Sequence, residues 1–454
     1  MVSIKYKENK ALYSTLVHIA VPIALQGLIT SSLNLVDNIM IGQLGEAEFS
    51  AVGMANQLFF VFTSLLFGFT SGAGAYIAQF WGIKDLINIK KVLGFSLFFT
   101  ILSSTIFFLG SFFFPDKVIL LFSKDPAVIR YGEEYLTIVS FTFILMAITI
   151  SHAAVLKITE QTKLPMKISA YAFLINTVLN YVLIFGKLGF EPMGVKGAAI
   201  GTLISRLFEM VLILYFIYIK GNIVRGKISD LFSFSSDFAK RILKTAFPVV
   251  ANEVLWGLGM ASYGVIYGHM GTTEYAALQV SNTVHFIFIM AIFSIGDAAL
   301  VMIGKDLGRK NEASAYDVAC KLLKIGIVSG ILSGIFLIIF SPLIVKLFNF
   351  TPEGRQYATV ILSIYGCFMW LKLFSGINII GVFRGGGDTK FAMYTEVATV
   401  WLVGVPLVFF SALVLKLPLY LVVIAATFEE IIKGIICYKR LKSKKWINNI
   451  IHSM

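Results

Sequence analysis

Residues Pro22 to Gly82 recur in the same order, 226 positions on, as Pro248 to Gly308. Ala20, Gly42, Gly45, Glu48, Ala51 and Asn56 have copies in Ala246, Gly268, Gly271, Glu274, Ala277 and Asn282. The register holds through Lys84/Lys310, Phe122/Phe348 and Pro126/Pro352. After one inserted residue, Thr162, Lys163 and Met166 return as Thr389, Lys390 and Met393. A chain written twice from one plan is constrained to fold as two similar bodies. In a membrane chain, that duplication points to a transporter with its working site between the copies.

Whether this is a membrane chain is decided by composition. Hydrophobic residues make up 57% of the 454 positions and charged residues 14%, with a mean hydropathy of +0.84. That is too apolar for a soluble protein of this size. At about 20 apolar residues per span, the sequence predicts twelve helices, near 13–41, 49–81, 92–114, 134–156, 165–185, 194–219, 242–267, 275–303, 320–345, 357–383, 392–414 and 416–438. The fold class expected is an all-α polytopic membrane protein. Its twelve transmembrane helices would form two six-helix pseudo-symmetric bundles. Six spans per copy is an even number, so both copies enter from the same side, as parallel repeats.

The domains expected are an N-terminal lobe over 1–219, a cytosolic linker over 220–241, a C-terminal lobe over 242–440 and a basic tail over 441–454. The net charge of +13 raises nucleic acid as a partner. The distribution of that charge argues against it. With the N-terminus inside, only Lys117, Lys124, Arg130, Lys187, Lys196, Lys346, Arg355 and Lys416 fall in external loops, with Arg206 and Lys372 inside spans. The other basic residues follow cytosolic loops and tails, which is the positive-inside bias of a multi-pass protein in the cell membrane with both termini cytosolic. Lys5, Lys7 and Lys10 precede a long span without a cleavage signal, so the first helix reads as retained. The three cysteines show no metal-ligand spacing.

Several short runs then stand out together. Leu35-Val-Asp37-Asn-Ile-Met-Ile-Gly42 closes the first span; Asn176-Thr-Val-Leu-Asn180 lies in the fifth and Gly194-Val-Lys-Gly197-Ala-Ala-Ile-Gly-Thr202 opens the sixth. Arg384-Gly-Gly-Gly387-Asp388-Thr389 closes the tenth, and Trp401-Leu-Val-Gly-Val-Pro406 lies in the eleventh. In order and spacing the chain resembles the multidrug and toxic compound extrusion (MATE) family over nearly its whole length. The resemblance implies V-shaped lobes around a central cavity and antiport of organic, often cationic compounds against Na⁺ or H⁺. It implies no cofactor beyond that coupling ion and no enzymatic activity.

Ionisable groups inside spans cost about 2.5–3.5 kcal/mol each and so need a reason. Asp37 matches the family's helix-1 acid, and its copy in the second half is Tyr263. In the DinF-type branch that acid shares its site with an Asn and an Asp of helix 5 and a Thr of helix 6. Here those positions are Asn176, Asn180 and Thr202. Asn180 departs from the Asp of that branch, leaving one carboxylate among neutral oxygens, a plausible Na⁺ cage because hard cations take oxygen ligands. Asn176 and Asn180, a turn apart, read equally as interhelical hydrogen-bonding residues.

The second lobe carries Glu253, Asp297 and Lys372, expected to form one partly buried network. The NorM-type branch has acids on helices 7 and 10, and Lys372 stands near the second of these. Arg206 and Glu209 read as a helix-surface ion pair, and Glu429 and Glu430 as partners of Lys433. Met54, Phe60, Trp256, Met260, Tyr263, Phe286 and Met290 are the residues expected to line an apolar substrate cavity. Small-molecule organic substrates and membrane lipids are the partners expected, and a monomer the assembly. A lipid or lipid-linked saccharide flippase of the same superfamily is the alternative; it would use Lys372 and Arg206 on phosphate.

Overall fold

The computed structural model describes residues 2–346, 348 and 351–452; the last two residues of the basic tail lie outside them. Among the described residues the regular structure is all helical, in the order α1 Val2–Gly42, α2 Glu46–Gly82, α3 Leu86–Phe113, α4 Pro115–Leu120, α5 Pro126–Val139, α6 Phe141–Ile158, α7 Lys163–Phe185 and α8 Gly194–Leu214. There follow α9 Ile228–Leu231, α10 Ser236–Gly268, α11 Thr272–Gly308, α12 Glu312–Val345, α13 Pro352–Ile377, α14 Thr389–Thr399, α15 Val405–Phe409 and α16 Leu419–Ser443. Among the described residues, eleven helices are long and apolar enough to cross a membrane. The twelfth expected span is α16, whose middle carries Glu429, Glu430 and Lys433.

The repeat is written into the turns as well as the spans. Pro22 lies inside α1 and Pro248 inside α10. Gly45 and Gly271 open the next helices with φ of +158° and +155°, a backbone that disfavours side chains. Lys84 and Lys310 both take positive φ, and the residues after them, Asp85 and Asn311, cap α3 and α12 through their side chains. Pro126 and Pro352 each start a helix behind the capping residues Asp125 and Thr351.

The chain divides into two compact units. The N-terminal unit holds Val21–Ile77 and Lys84–Leu243; the C-terminal unit holds Met1–Ala20, Ala78–Ile83 and Lys244–Met454. Within the first, Ile41, Ala51, Val52, Ile119, Leu136 and Ile184 form one buried cluster, and a second gathers Phe62, Leu66 and Phe143. The linker docks on this unit: Leu231 of α9 is buried, its backbone against Gly94 of α3. Within the C-terminal unit the core is built from Ile266, Tyr267, Leu278, Ile361, Val408 and Val422.

The helices depart from expectation in the fourth, sixth, tenth and eleventh spans, the sixth ending in a π-helical turn over Tyr215–Ile219. The fourth span is broken at Ser140, where α5 gives way to α6. The tenth passes into a π-helical stretch over Asn378–Phe383, and the eleventh contains two more, Val400–Gly404 and Phe410–Val414. Such stretches widen a helix by one residue per turn and often mark functional positions. Arg384 directly follows the stretch in the tenth span.

Candidate functional site

Asp37 lies on the last turns of α1, five residues before Gly42. Asn176 and Asn180 occupy successive turns of α7 and are buried, as is Ser205 of α8. These helices bring the four expected cation-coupling residues together. Asn180 Nδ2 donates to Asp37 Oδ1 at 2.7 Å and to Asn176 Oδ1 at 3.1 Å. Asn176 Nδ2 reaches Thr202 Oγ1 at 3.5 Å and Ser205 Oγ at 3.4 Å. Buried Asn180 Oδ1 has no hydrogen-bond partner. An orphaned, buried carbonyl oxygen beside a carboxylate suits a small hard cation or a donated proton, since unsatisfied acceptors are costly inside a protein.

Residues not expected at this site also belong to it. Tyr135 of α5 is buried, with its hydroxyl against Thr202 and within the field of Asp37. Arg206 acts on the same carboxylate from α8. The expected Arg206–Glu209 pair forms at 2.7 Å along α8, and Glu209 is 6% exposed. Glu209 Oε1 accepts from Ser169 Oγ at 2.9 Å, and Ser169 Oγ accepts from Gln26 Nε2 at 3.0 Å. A polar ladder therefore continues from Asp37 along α1, α7 and α8 inside the N-terminal unit. His152 is buried and bonded to Ile148 O and Tyr218 Oη.

In the C-terminal unit the expected trio is corrected in its pairings. Glu253 Oε1 accepts from Arg384 Nη2 at 2.6 Å, not from Lys372. Lys372 Nζ bonds Glu430 Oε1 at 2.7 Å. Asp297 is half-buried on α11. Arg384, at the head of the glycine run that closes the tenth span, is 1% exposed and lies inside the bundle; the turn after it is formed by Gly387 at φ +74°. Lys433 Nζ meets Glu429 Oε1 at 2.7 Å and Glu430 Oε1 at 3.3 Å, as its spacing predicts, and Glu396 Oε1 at 3.5 Å.

The expected cavity lining divides. Tyr263 turns its hydroxyl onto Glu429 Oε2 at 2.6 Å, and Met54 packs against the core of the N-terminal unit. Phe60 and Phe286 are exposed; Trp256, Met260 and Met290 are half-buried. An apolar groove of 340 Å³ on the C-terminal unit is lined instead by Leu255, Met393 and Trp401 with their neighbours. Trp401 is held there by a hydrogen bond from Nε1 to Leu255 O.

A family model, MatE, matches residues 22–182 and again 248–410, its two copies opening at the paired prolines. The chain is 23% identical over 415 residues to the uncharacterized transporter YisQ of Bacillus subtilis, covering 90% of each. It is 25% identical over 399 residues to the probable multidrug resistance protein NorM of Thermotoga maritima, covering 87% of this chain and 84% of that one. Among solved structures, it superposes on a MATE protein in complex with MaL6 at a TM-score of 0.87 and 19% identity, over 95% and 96% of the two chains. It superposes equally fully on an outward-facing multidrug resistance MATE transporter, at a TM-score of 0.86 and 19% identity. At such identities the structural likeness speaks for the fold alone.

Proposed function

The chain belongs to the MatE family, and from that premise we propose that it is a secondary active antiporter. It exports organic compounds, cationic and amphipathic in character, in exchange for Na⁺ or H⁺ by alternating access. The relatives named as multidrug resistance proteins support the substrate class. The observation that carries the coupling is the contact between Asp37 and Asn180 at 2.7 Å, with the second oxygen of that amide buried and unpartnered.

The chain's own residues do the following. Asp37 supplies the charge, and the Asn180 amide N–H holds its carboxylate in place. Asn180 Oδ1, Thr202 Oγ1 and the free oxygen of Asp37 are the hard donors that a Na⁺ would take, and Asp37 alone is the seat of a proton. Filling the seat from outside biases the protein toward release of its cargo; emptying it inward resets the cycle. One charge crossing 100 mV supplies about 2.3 kcal/mol, close to a fifty-fold bias. Both termini lie in the cytosol in this reading, as the charge distribution requires.

The flippase alternative needs Lys372 and Arg206 free to meet phosphate. Each is held by a glutamate at 2.7 Å, which favours the antiporter.

Counterflow of a fluorescent organic cation into proteoliposomes, with ΔpH and ΔNa⁺ imposed separately, tests the proposal. One of the two gradients should drive uptake, and Asp37→Asn should abolish the driven component while the protein still elutes as a folded monomer. Gradient-driven transport at the wild-type rate by that variant would remove Asp37 from the coupling role.

A further inference from the structure

The 340 Å³ groove of the C-terminal unit lies between α10 and the eleventh span. Leu255 forms one wall; Met393, Tyr394, Val397, Trp401 and Leu402 form the other. Trp401 spends its one donor on Leu255 O, so its indole offers no free N–H to an occupant. Tyr394 and Leu402 stand 65% and 76% exposed along the open side. On a spanning helix, the medium against such exposed apolar side chains is lipid hydrocarbon.

Two contacts fix how these helices run. Asn252 Nδ2 of α10 donates to Glu396 Oε2 at 3.2 Å, and Trp401 Nε1 reaches Leu255 O, further along both helices, at 3.0 Å. The two therefore climb in parallel, and the same register sets Lys244 of α10 level with Lys390 of α14. Lys244 lies 11 residues before Leu255, and Lys390 lies 11 before Trp401. That spacing is three turns, so each lysine shares the face that its helix turns to the groove. At 1.5 Å per residue the lysines stand about 16 Å from the Trp401–Leu255 contact, the depth of one leaflet of a core about 30 Å thick. Both are exposed, at the end that the charge distribution places in the cytosol. Among the described residues neither has an acid partner: nearby Asp388 is taken by Arg440 at 2.8 Å and Glu396 by Lys433 at 3.5 Å.

We propose that this groove binds one anionic phospholipid of the cytosolic leaflet. Its headgroup lies on Lys244 and Lys390, and one acyl chain runs along Leu255, Trp401 and Leu402. A basic pocket between spanning helices on the cytosolic side is the chemistry that selects anionic headgroups. The same charges turn away a cationic cargo: both lysines repel it at the mouth, and the lining carries no acid to offset them. Tyr394, one turn beyond Lys390, sets its ring just inside the headgroups, where amphipathic rings settle. The acyl chain fills the gap beside the π-helical stretch Val400–Gly404 and stays with the protein; it is bound, not transported.

Asp37 takes no part in this site, and the test needs no transport. The full chain is placed in phosphatidylcholine bilayers, and phosphatidylglycerol brominated at mid-chain is added at low mole fraction. Brominated phosphatidylcholine is added to a parallel set. The quenching assigned to Trp401 is the part that the Trp401→Phe chain lacks. Phosphatidylglycerol should occupy the groove about tenfold more favourably than phosphatidylcholine, as two lysines near an anionic headgroup allow. Lys244→Gln with Lys390→Gln should erase that preference. Ala398→Phe, which fills the groove from its exposed lining, should keep either lipid from Trp401. Equal quenching by the two lipids in the wild type overturns the proposal. So does a preference that survives the paired lysine change, or quenching that survives Ala398→Phe. Recovery of Trp401 fluorescence on adding tetraphenylphosphonium would give the groove to an organic cation and overturn it as well. If Ala398→Phe does not fold, the paired lysine variant decides alone: loss of the preference supports the site and its retention removes it.

Discussion

Asparagine and aspartate have nearly the same shape, but at position 180 they do different electrostatic work. Asn180 donates to Asp37 and leaves the site with a single carboxylate. Replacing it with Asp sets two carboxylates at hydrogen-bond distance, and such a pair retains one proton near neutrality. Asn180→Asp should therefore make driven efflux depend more steeply on ΔpH than in wild type, and weaken its response to ΔNa⁺. The two-gradient proteoliposome assay reads both. Asn180→Ala removes the donor and the orphan oxygen together and should lower apparent cation affinity by about tenfold or more, the cost of one charge-assisted hydrogen bond. Asp37, Asn176 and Asn180 were picked out in sequence because a charge inside a span needs a reason and the family resemblance sets that acid beside these two positions. Arg384, Glu396 and Tyr135 were not. Depth and face along one helix do not reveal which neighbour that face meets, and Arg384 sits beside a run of glycines that reads as a turn.

At the scale of elements, apolar runs of about 20 residues made the spans legible, and repeated caps and prolines marked their ends. The π-helical stretches were hidden, because an extra residue per turn follows from packing against neighbours and leaves no periodic trace. A close helix pair is α12 with α13, where Gly330 and Gly334 lie against the backbone of Trp370 and Gly366. A side chain on Gly334 would enter the Gly366 carbonyl, so the two axes would have to part. In lipid, close van der Waals approach is a main source of helix association. Gly334→Leu should therefore destabilise the protein by about 1–3 kcal/mol, the usual cost of overpacking. It should appear as an earlier thermal transition in detergent, while Gly110→Leu on α3, with open space around it, should leave that transition in place.

At the scale of the whole molecule, the duplication read in the sequence maps onto two units whose contents are not simply the two halves of the chain. Met1–Ala20 and Ala78–Ile83 come from the first half yet belong to the C-terminal unit. Within that unit the repeat produces a reciprocal contact. Gly82 abuts the backbone of Lys305, and its mate Gly308 abuts that of Gln79, the mate of Lys305. Arg309 Nε donates to Gly82 O at 2.9 Å. The tail adds a brace. Gln79 Nε2 donates to Asn448 O at 2.9 Å, its Oε1 accepts from Ile450 N at 2.8 Å, and Asn449 Nδ2 reaches Leu307 O at 2.7 Å. These contacts hold first-half segments to the second half without help from the linker, whose Arg225 and Lys227 are exposed. Cleavage at a protease site placed between Arg225 and Ile228 should leave the two fragments co-eluting on size exclusion in mild detergent. Recovery of separate fragments would show that the linker, not these segments, holds the halves together. Adding Gln79→Ala, or ending the chain at Lys445, strips the brace and should make the cleaved pair come apart at lower temperature than the cleaved wild type. Because buried amides that lose both partners carry a penalty of about 1–3 kcal/mol each, the shift should be larger for the truncated tail, which also empties the fully buried Trp446 pocket beside Gly386.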